Sequence, residues 1–309
     1  MPARPVTAAS ASGASVIRTG LGKEARFMCG RQHSGVVTCA PRTMRPLVLV
    51  SNDDGFFSPG IRALRDALSG WADVIVVAPE TEQSATSHSL SLHRPLRTRA
   101  VEPGIFAIDG TPADCVYVAL HAETRFLSRW PDLVCSGVNR GLNLGQDAFY
   151  SGTVAAAREG ALRGIPAIAS SAHVKADVAR VAALTSRLAR ALFDCTNGAL
   201  GAGVRPGPSV VRNTPLLNLN VPLDWNGRVQ KARLGARLYE EVIDFRKDPR
   251  GREYLWLGGP GVSHASDPGS DTDAYDAGFA SITPLVLDLS ATDDNGVADK
   301  VIAAASSIG

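Results

Sequence analysis

The sequence predicts an α/β fold with a mostly parallel sheet and a hairpin-like extension near the C-terminus. Two observations predict it. From Met44 onward, short apolar runs alternate with helix-like patterns, as expected of βαβ units. From about residue 228 to 285 that alternation gives way to an irregular pattern ending in "GFASITPL".

Taken in order, "LVLVS" (47–51) is a buried strand, and Pro59 then opens a helix through Ser69 with Ile61, Leu64 and Leu68 at helical spacing. "DVIVVAP" (73–79) is a second buried strand. The loop after it, "ETEQSATSHSLSLHRP", is too long and too specific for a simple connection. "LRTRAV" and "IFAID" read as two shorter strands, and Pro112 opens a helix to about His121. "PDLVCSG" (131–137) is another buried strand, followed by a glycine- and asparagine-rich loop and then the helix "SGTVAAAREGALRG", ended by Gly164. "IPAIAS" is a strand, and 176–194 is an amphipathic helix facing inward with Val178, Val181, Leu184, Leu188 and Leu192. After a low-complexity joint (198–208), "LLNLNVP" (216–222) returns to strand, and 294–305 reads as a closing helix. There are no internal repeats.

Composition narrows the function classes. A net charge of +2 gives no basic surface for nucleic acid. No apolar run reaches the ~18 residues of a membrane span. Five scattered cysteines without CxxC spacing argue against a disulfide framework or zinc site and fit a reducing cytoplasm. Residues 1–43 carry six basic side chains against one acid and lack periodicity, so they read as a disordered N-terminal extension. Such a segment is either an over-extended start ahead of Met44, the reading preferred here, or an organelle transit peptide.

Chemistry-bearing residues gather on three loops at strand ends, where open α/β sheets bind ligands. The first holds Asn52, Asp53, Asp54 and Gly55; the second Ser84, Thr86, Ser87 and His88; the third Ser136, Asn139, Asn143, Ser151 and Thr153. Adjacent carboxylates repel one another unless a cation sits between them, and hard oxygen ligands suit Mg²⁺, Mn²⁺ or Ca²⁺. Taken alone, Asp-Asp-Gly is as readily a helix cap beside a solvated acid. Ser151, Gly152 and Thr153 open a helix whose free amides suit a phosphate, although an ordinary N-cap has the same appearance. No GxGxxG, Walker loop or GxSxG elbow is present.

"LVLVSNDDGFFSPGI", "VVAPETEQSATSHSL", "DGTPADCV", "PDLVCSGVNRGLNLGQDAFYSGTVAAAREG", "LNLNVP", "DPRGREYLWLGG" and "GFASITPL" occur in that order. Together they resemble the SurE family of stationary-phase survival proteins, over about residues 44–305. The resemblance implies a Rossmann-like three-layer α/β/α fold and a metal-dependent 5′-nucleotidase of the acid phosphatase type. Such an enzyme hydrolyses nucleoside 5′- and 3′-monophosphates. The alternative is a nucleotide-binding regulator without turnover. Carried over by position, it implies Asp53, Asp54, Ser84 and Asn139 as ligands of one divalent ion per subunit (Mg²⁺ or Mn²⁺, with Ca²⁺ able to substitute in crystals). The resemblance implies that Asn143 and Ser151 lie against the phosphate, and the helix-start reading adds Gly152 and Thr153. It further implies Asp53, Asn143, Ser151 and His88 as the catalytic set, and "SDTDAYDAGF" keeps Asp273 of a C-terminal family motif. The resemblance also implies a cytoplasmic homodimer or homotetramer built by exchanged C-terminal elements, with 228–285 as the oligomerisation arm.

Overall fold

The computed structural model describes residues 45–200, 213–239, 243–257, 262–290 and 296–306, and at 197–200, 238–239 and 303–306 the backbone only. The expectation of a disordered extension over 1–43 lies outside the described residues.

Among the described residues, nine strands form one sheet. They are β1 (Leu47–Ser51), β2 (Asp73–Pro79), β3 (Thr98–Glu102), β4 (Ile105–Ile108), β5 (Leu133–Arg140), β6 (Ala167–Ala172), β7 (Leu216–Val221), β8 (Val229–Lys231) and β13 (Ala280–Leu285). Their order is β3-β4-β2-β1-β5-β6-β7-β13-β8. All neighbours from β4 to β7 run parallel, and the antiparallel pairs, β3–β4 and β7–β13, lie towards the edges. β1 is buried on both faces, which is why it reads as an unbroken apolar run rather than an alternating one.

Helices cover both faces. On one, α1 (Pro59–Ser69) and α5 (Val178–Leu200) bury Ile61, Leu64, Leu68, Val181, Leu184 and Leu192 against the sheet. On the other, α2 (Pro112–His121) and α4 (Gly152–Leu162) bury Val116, Ala119, Val154, Ala157 and Ala161. The mostly parallel three-layer α/β/α fold predicted from sequence is therefore present. Local chemistry sets the helix starts: Ser58 accepts from the Ile61 amide, and Thr111 and Asp114 form a reciprocal capping box. The small residues of α4 permit close approach to the sheet, since a Cβ at Gly160 would lie 2.5 Å from Val134 Cγ2. Strand order reverses at β1, with β2 on one side and β5 on the other, so the switch point lies where Asp53 and Asp54 follow β1.

Three segments differ from expectation. β5 continues past Gly137 through Val138, Asn139 and Arg140, residues that read as loop, because pairing with β6 resumes at Asn139↔Ser171 after a register shift. Gly137 allows this: its φ is +127°, and a Cβ there would meet Ser170 O at 2.3 Å. Two short helices, α3 (Asp147–Tyr150) and α6 (Asp271–Asp276), lie where loop and hairpin were expected. The ends of 228–285 belong to the main sheet as β8 and β13. Among the described residues, β9 (Arg237–Tyr239) with β12 (Val262–His264), and β10 (Ile243–Lys247) with β11 (Glu253–Leu257), form separate two-stranded ribbons. α7 (Val297–Ser306) is the last described element.

Candidate active site

Asp53 emerges from β1 and is 6% exposed. The start of α4 lies directly over it. The Thr153 amide donates to Asp53 Oδ2 at 3.1 Å, and the Thr153 hydroxyl donates to Oδ1. Gly152 makes this approach possible, since a Cβ there would meet Asp53 Cβ at 2.9 Å. Burial, with a further push from Asp54, raises the Asp53 carboxyl to about 6 despite the Thr153 bonds. Asp54 is half-buried and also raised, first by burial and then by the charge of Glu82, while the Arg140 amide opposes the shift from 3.2 Å. Both acids therefore sit where their charge is unfavourable without a cation.

The other strand ends supply oxygens. Asn139 donates Nδ2 to Gly141 O at 3.0 Å, so its Oδ1 remains as the atom suited to a cation, one residue from the amide that binds Asp54. The buried hydroxyls of Ser51 and Ser136, which pair in register, and Asn52 Oδ1 have no hydrogen-bond partner. Asn52 uses Nδ2 on Gly55 O and Ser58 Oγ, which ties the β1 turn to the start of α1. Among the described residues, no three His, Cys, Asp or Glu side chains gather to hold a metal. Two carboxylates with amide and hydroxyl oxygens instead make an all-oxygen set that fits Mg²⁺ or Mn²⁺ better than zinc.

The remaining sequence-predicted residues lie at different removes. Gln83 N donates to Asp53 O at 2.8 Å, which seats Ser84 next to the acid pair, but the exposed Ser84 hydroxyl donates to Glu82 at 2.7 Å. Asn143 is buried and pinned: its amide donates to Asn220 Oδ1, its Nδ2 to Ser171 Oγ, and its carbonyl accepts from Asn218 and Asn220. Ser151 caps α4 through a bond from the Val154 amide. The Thr153 and Val154 amides are thus engaged internally, and among the described residues the Gly152 N–H remains as the helix-terminal donor for an anion. His88 reaches α4 beyond the helix start. Its Nε2 is 2.8 Å from the buried Glu159 of α4, which also accepts from Arg163.

Sequence reasoning missed the residues that hold these groups. Glu159, Asn218 and Asn220 are polar residues inside apolar segments, and that position was the available signal. Asp273, chosen from the C-terminal motif, accepts from the Asp267 amide. Its neighbour Asp271 is the fully buried one. It accepts from the amides of Gly145 and Gly235, tying the Asn143 loop to the C-terminal segment.

A family model described as "Survival protein SurE" matches residues 48–241, more than half of the chain. The chain belongs to the SurE family. The 5′-nucleotidase SurE of Sorangium cellulosum is 59% identical over 260 residues, covering 84% of this chain and 97% of that protein. The 5′-nucleotidase SurE of Syntrophotalea carbinolica is 42% identical over 243 residues, covering 79% and 92%. The crystal structure of the SurE protein from Aquifex aeolicus superposes with a TM-score of 0.67 at 33% identity, over 84% of this chain and all of that one. The family match includes Asp53, Asp54, Ser84, Asn139, Asn143 and Ser151 through Thr153, so the whole candidate constellation lies within SurE-like sequence. No helix among the described residues is long and apolar enough to cross a membrane.

Proposed function

We propose that this SurE protein is a metal-dependent phosphomonoester hydrolase that releases phosphate from nucleoside 5′- and 3′-monophosphates. The observation that carries the reading is the placement of Asp53: a buried carboxylate beneath the start of a helix, adjacent in sequence to a second acid. Asp53, Asp54, Ser84 and Asn139 would hold one Mg²⁺ or Mn²⁺ ion, with the Ser84 hydroxyl turning from Glu82 to do so. When bound, the ion supplies positive charge against the phosphoryl oxygens and acidifies a water.

The chain's own groups divide the remaining work. Thr153 fixes the Asp53 carboxylate from both oxygens. Asp53 is therefore oriented to take a proton from a water that attacks phosphorus as the nucleoside oxygen leaves, or to displace that oxygen itself through a carboxylate oxygen, water then hydrolysing the aspartyl phosphate. The Gly152 N–H and the second Nδ2 hydrogen of Asn143, whose position Ser171 and Asn220 fix, would stabilise the developing charge on the phosphoryl oxygens. His88 acts at one remove by anchoring the Ser84 loop to Glu159.

The catalytic unit would span 44–305 and assemble in the cytoplasm as a homodimer or homotetramer through the hairpins within 228–285. Neither nucleic acid nor membrane is a partner in this reading. Phosphate release measured over a panel of nucleoside monophosphates, with and without EDTA, tests it. Metal-dependent turnover is the expected result. Tight nucleotide binding without phosphate release would favour the regulator.

A further inference from the structure

A cleft of about 240 Å³ opens at the carboxyl ends of β5 and β6, next to the acid pair. Val138, Ala172, Val174 and Val178 give it apolar walls, and the start of α1 forms another side. Its polar residues are Asn139, Arg140 and His173. Two of these also belong to the candidate active site, since Arg140 N binds Asp54 and Asn139, the residue before it, keeps its Oδ1 unused by the bond to Gly141. The cleft and the acid pair therefore share a wall.

That wall is fixed by the backbone. Gly141 N donates to Ala172 O at 2.9 Å, His173 N to Val221 O at 3.0 Å, and Ala176 N to His173 O at 2.8 Å. His173 Nδ1 accepts from the Lys175 amide at 3.2 Å, so the neutral ring carries its proton on Nε2 and is a donor there. Apolar walls with a few oriented polar groups, beside the switch point of a parallel sheet, are what a small-ligand site requires.

We propose that this cleft receives the nucleoside part of the substrate while the phosphate lies against Asp53 and Gly152. This inference rests on the nucleotidase reading. The flat faces of a base match walls of valine and alanine. The Arg140 guanidinium is suited to stack on a base plane, and His173 Nε2–H to donate to a ring-nitrogen acceptor at its edge. Selectivity for nucleotides over simpler phosphate esters would then come from the residues around β5 and β6, separately from the groups that perform hydrolysis.

The test compares adenosine 5′-monophosphate with ribose 5-phosphate, which lacks only the base. Wild type should favour the nucleotide in kcat/KM. Val174 is 52% exposed, so Val174→Trp can fill the cleft without disturbing the core. It should lower the nucleotide-to-ribose-phosphate ratio of kcat/KM at least about tenfold, mainly through KM for the nucleotide. Arg140→Ala keeps the backbone bond to Asp54 and should move the ratio the same way, which guards against a misfolded tryptophan variant. Equal use of both substrates by wild type, or a ratio unchanged in both variants, overturns the cleft assignment and leaves the nucleotidase reading standing. A wild-type enzyme that hydrolyses neither substrate overturns both.

Discussion

Thr153 bonds both oxygens of Asp53, giving its amide to Oδ2 and its hydroxyl to Oδ1. From sequence the threonine was a candidate phosphate contact, yet its donors are directed at the acid. Thr153→Val keeps the shape and the amide bond but leaves a buried carboxylate oxygen without its hydroxyl donor. The expected cost is about 1–3 kcal/mol, read as a melting-temperature loss at roughly 2–4 °C per kcal/mol. The Asp53 pKa should rise further, shifting the acidic limb of the pH–rate profile to higher pH. Thr153→Ser should restore both. An unaltered profile in the valine variant would remove Asp53 from the role of base.

The buried acid also makes stability depend on pH. In metal-free protein Asp53 is raised from 3.8 to about 6. Between these values the folded chain keeps a proton that the unfolded chain has released, so stability falls as pH rises from about 4 to about 6. Above that the loss is on the order of 3 kcal/mol. Asp53→Asn has no proton to lose. In EDTA its stability relative to wild type should therefore grow across this window and stay level above it. Denaturant unfolding of both proteins at several pH values provides the check, and a constant difference would contradict the burial argument.

Much of this organisation was legible because burial and chain direction leave strong marks. β1, β2 and the start of β5 are enclosed on both faces and read as continuous apolar runs, while Pro59 and Pro112 announce their helices. The end of β5 was not legible. Asn139 and Arg140 follow a glycine and carry loop chemistry, and pairing with Ser171 and Ala172 of β6 keeps them in the sheet. α6 was missed because the six residues of "DTDAYD" are too short and too polar to show a period. At the site, adjacent acids signalled their own chemistry, but their partners depend on tertiary approach. The meeting of Asp53 with Thr153, or of His88 with Glu159, joins segments about 100 and 71 positions apart.

The β10–β11 ribbon separates two kinds of exposed apolar residue. Its register pairs Ile243 with Leu257 and Phe245 with Leu255, and alternation puts these four on one face. Trp256 and Tyr254, opposite Asp244 and Arg246, lie on the other. The Ile243 and Phe245 face ends in the charged pair Lys247 and Glu253, which leaves these four apolar side chains as its exposed patch. A second subunit would cover such a face. Combining Phe245→Asp with Leu255→Asp should give a monomer by light scattering at micromolar concentration, with an unchanged far-UV spectrum. Wild-type protein that is itself monomeric would sink the arm as an oligomerisation element.

The acid pair carries the last prediction. Asp54→Asn retains an oxygen for the Arg140 amide and removes a charge that burial and Glu82 already disfavour. Metal-free mutant should therefore be no less stable than wild type. Mn²⁺ should raise the wild-type melting temperature and leave the mutant nearly unmoved, because only a folded site that binds the ion gains its free energy. Hydrolysis should fall at least about a hundredfold, roughly 3 kcal/mol of transition-state stabilisation. If Asp54 were merely a solvated acid at a turn, metal would shift neither protein and turnover would stay near normal. Melting curves with and without Mn²⁺, together with kcat/KM for both proteins, separate these outcomes. A mutant that hydrolyses nucleotides at the wild-type rate would refute the cation site.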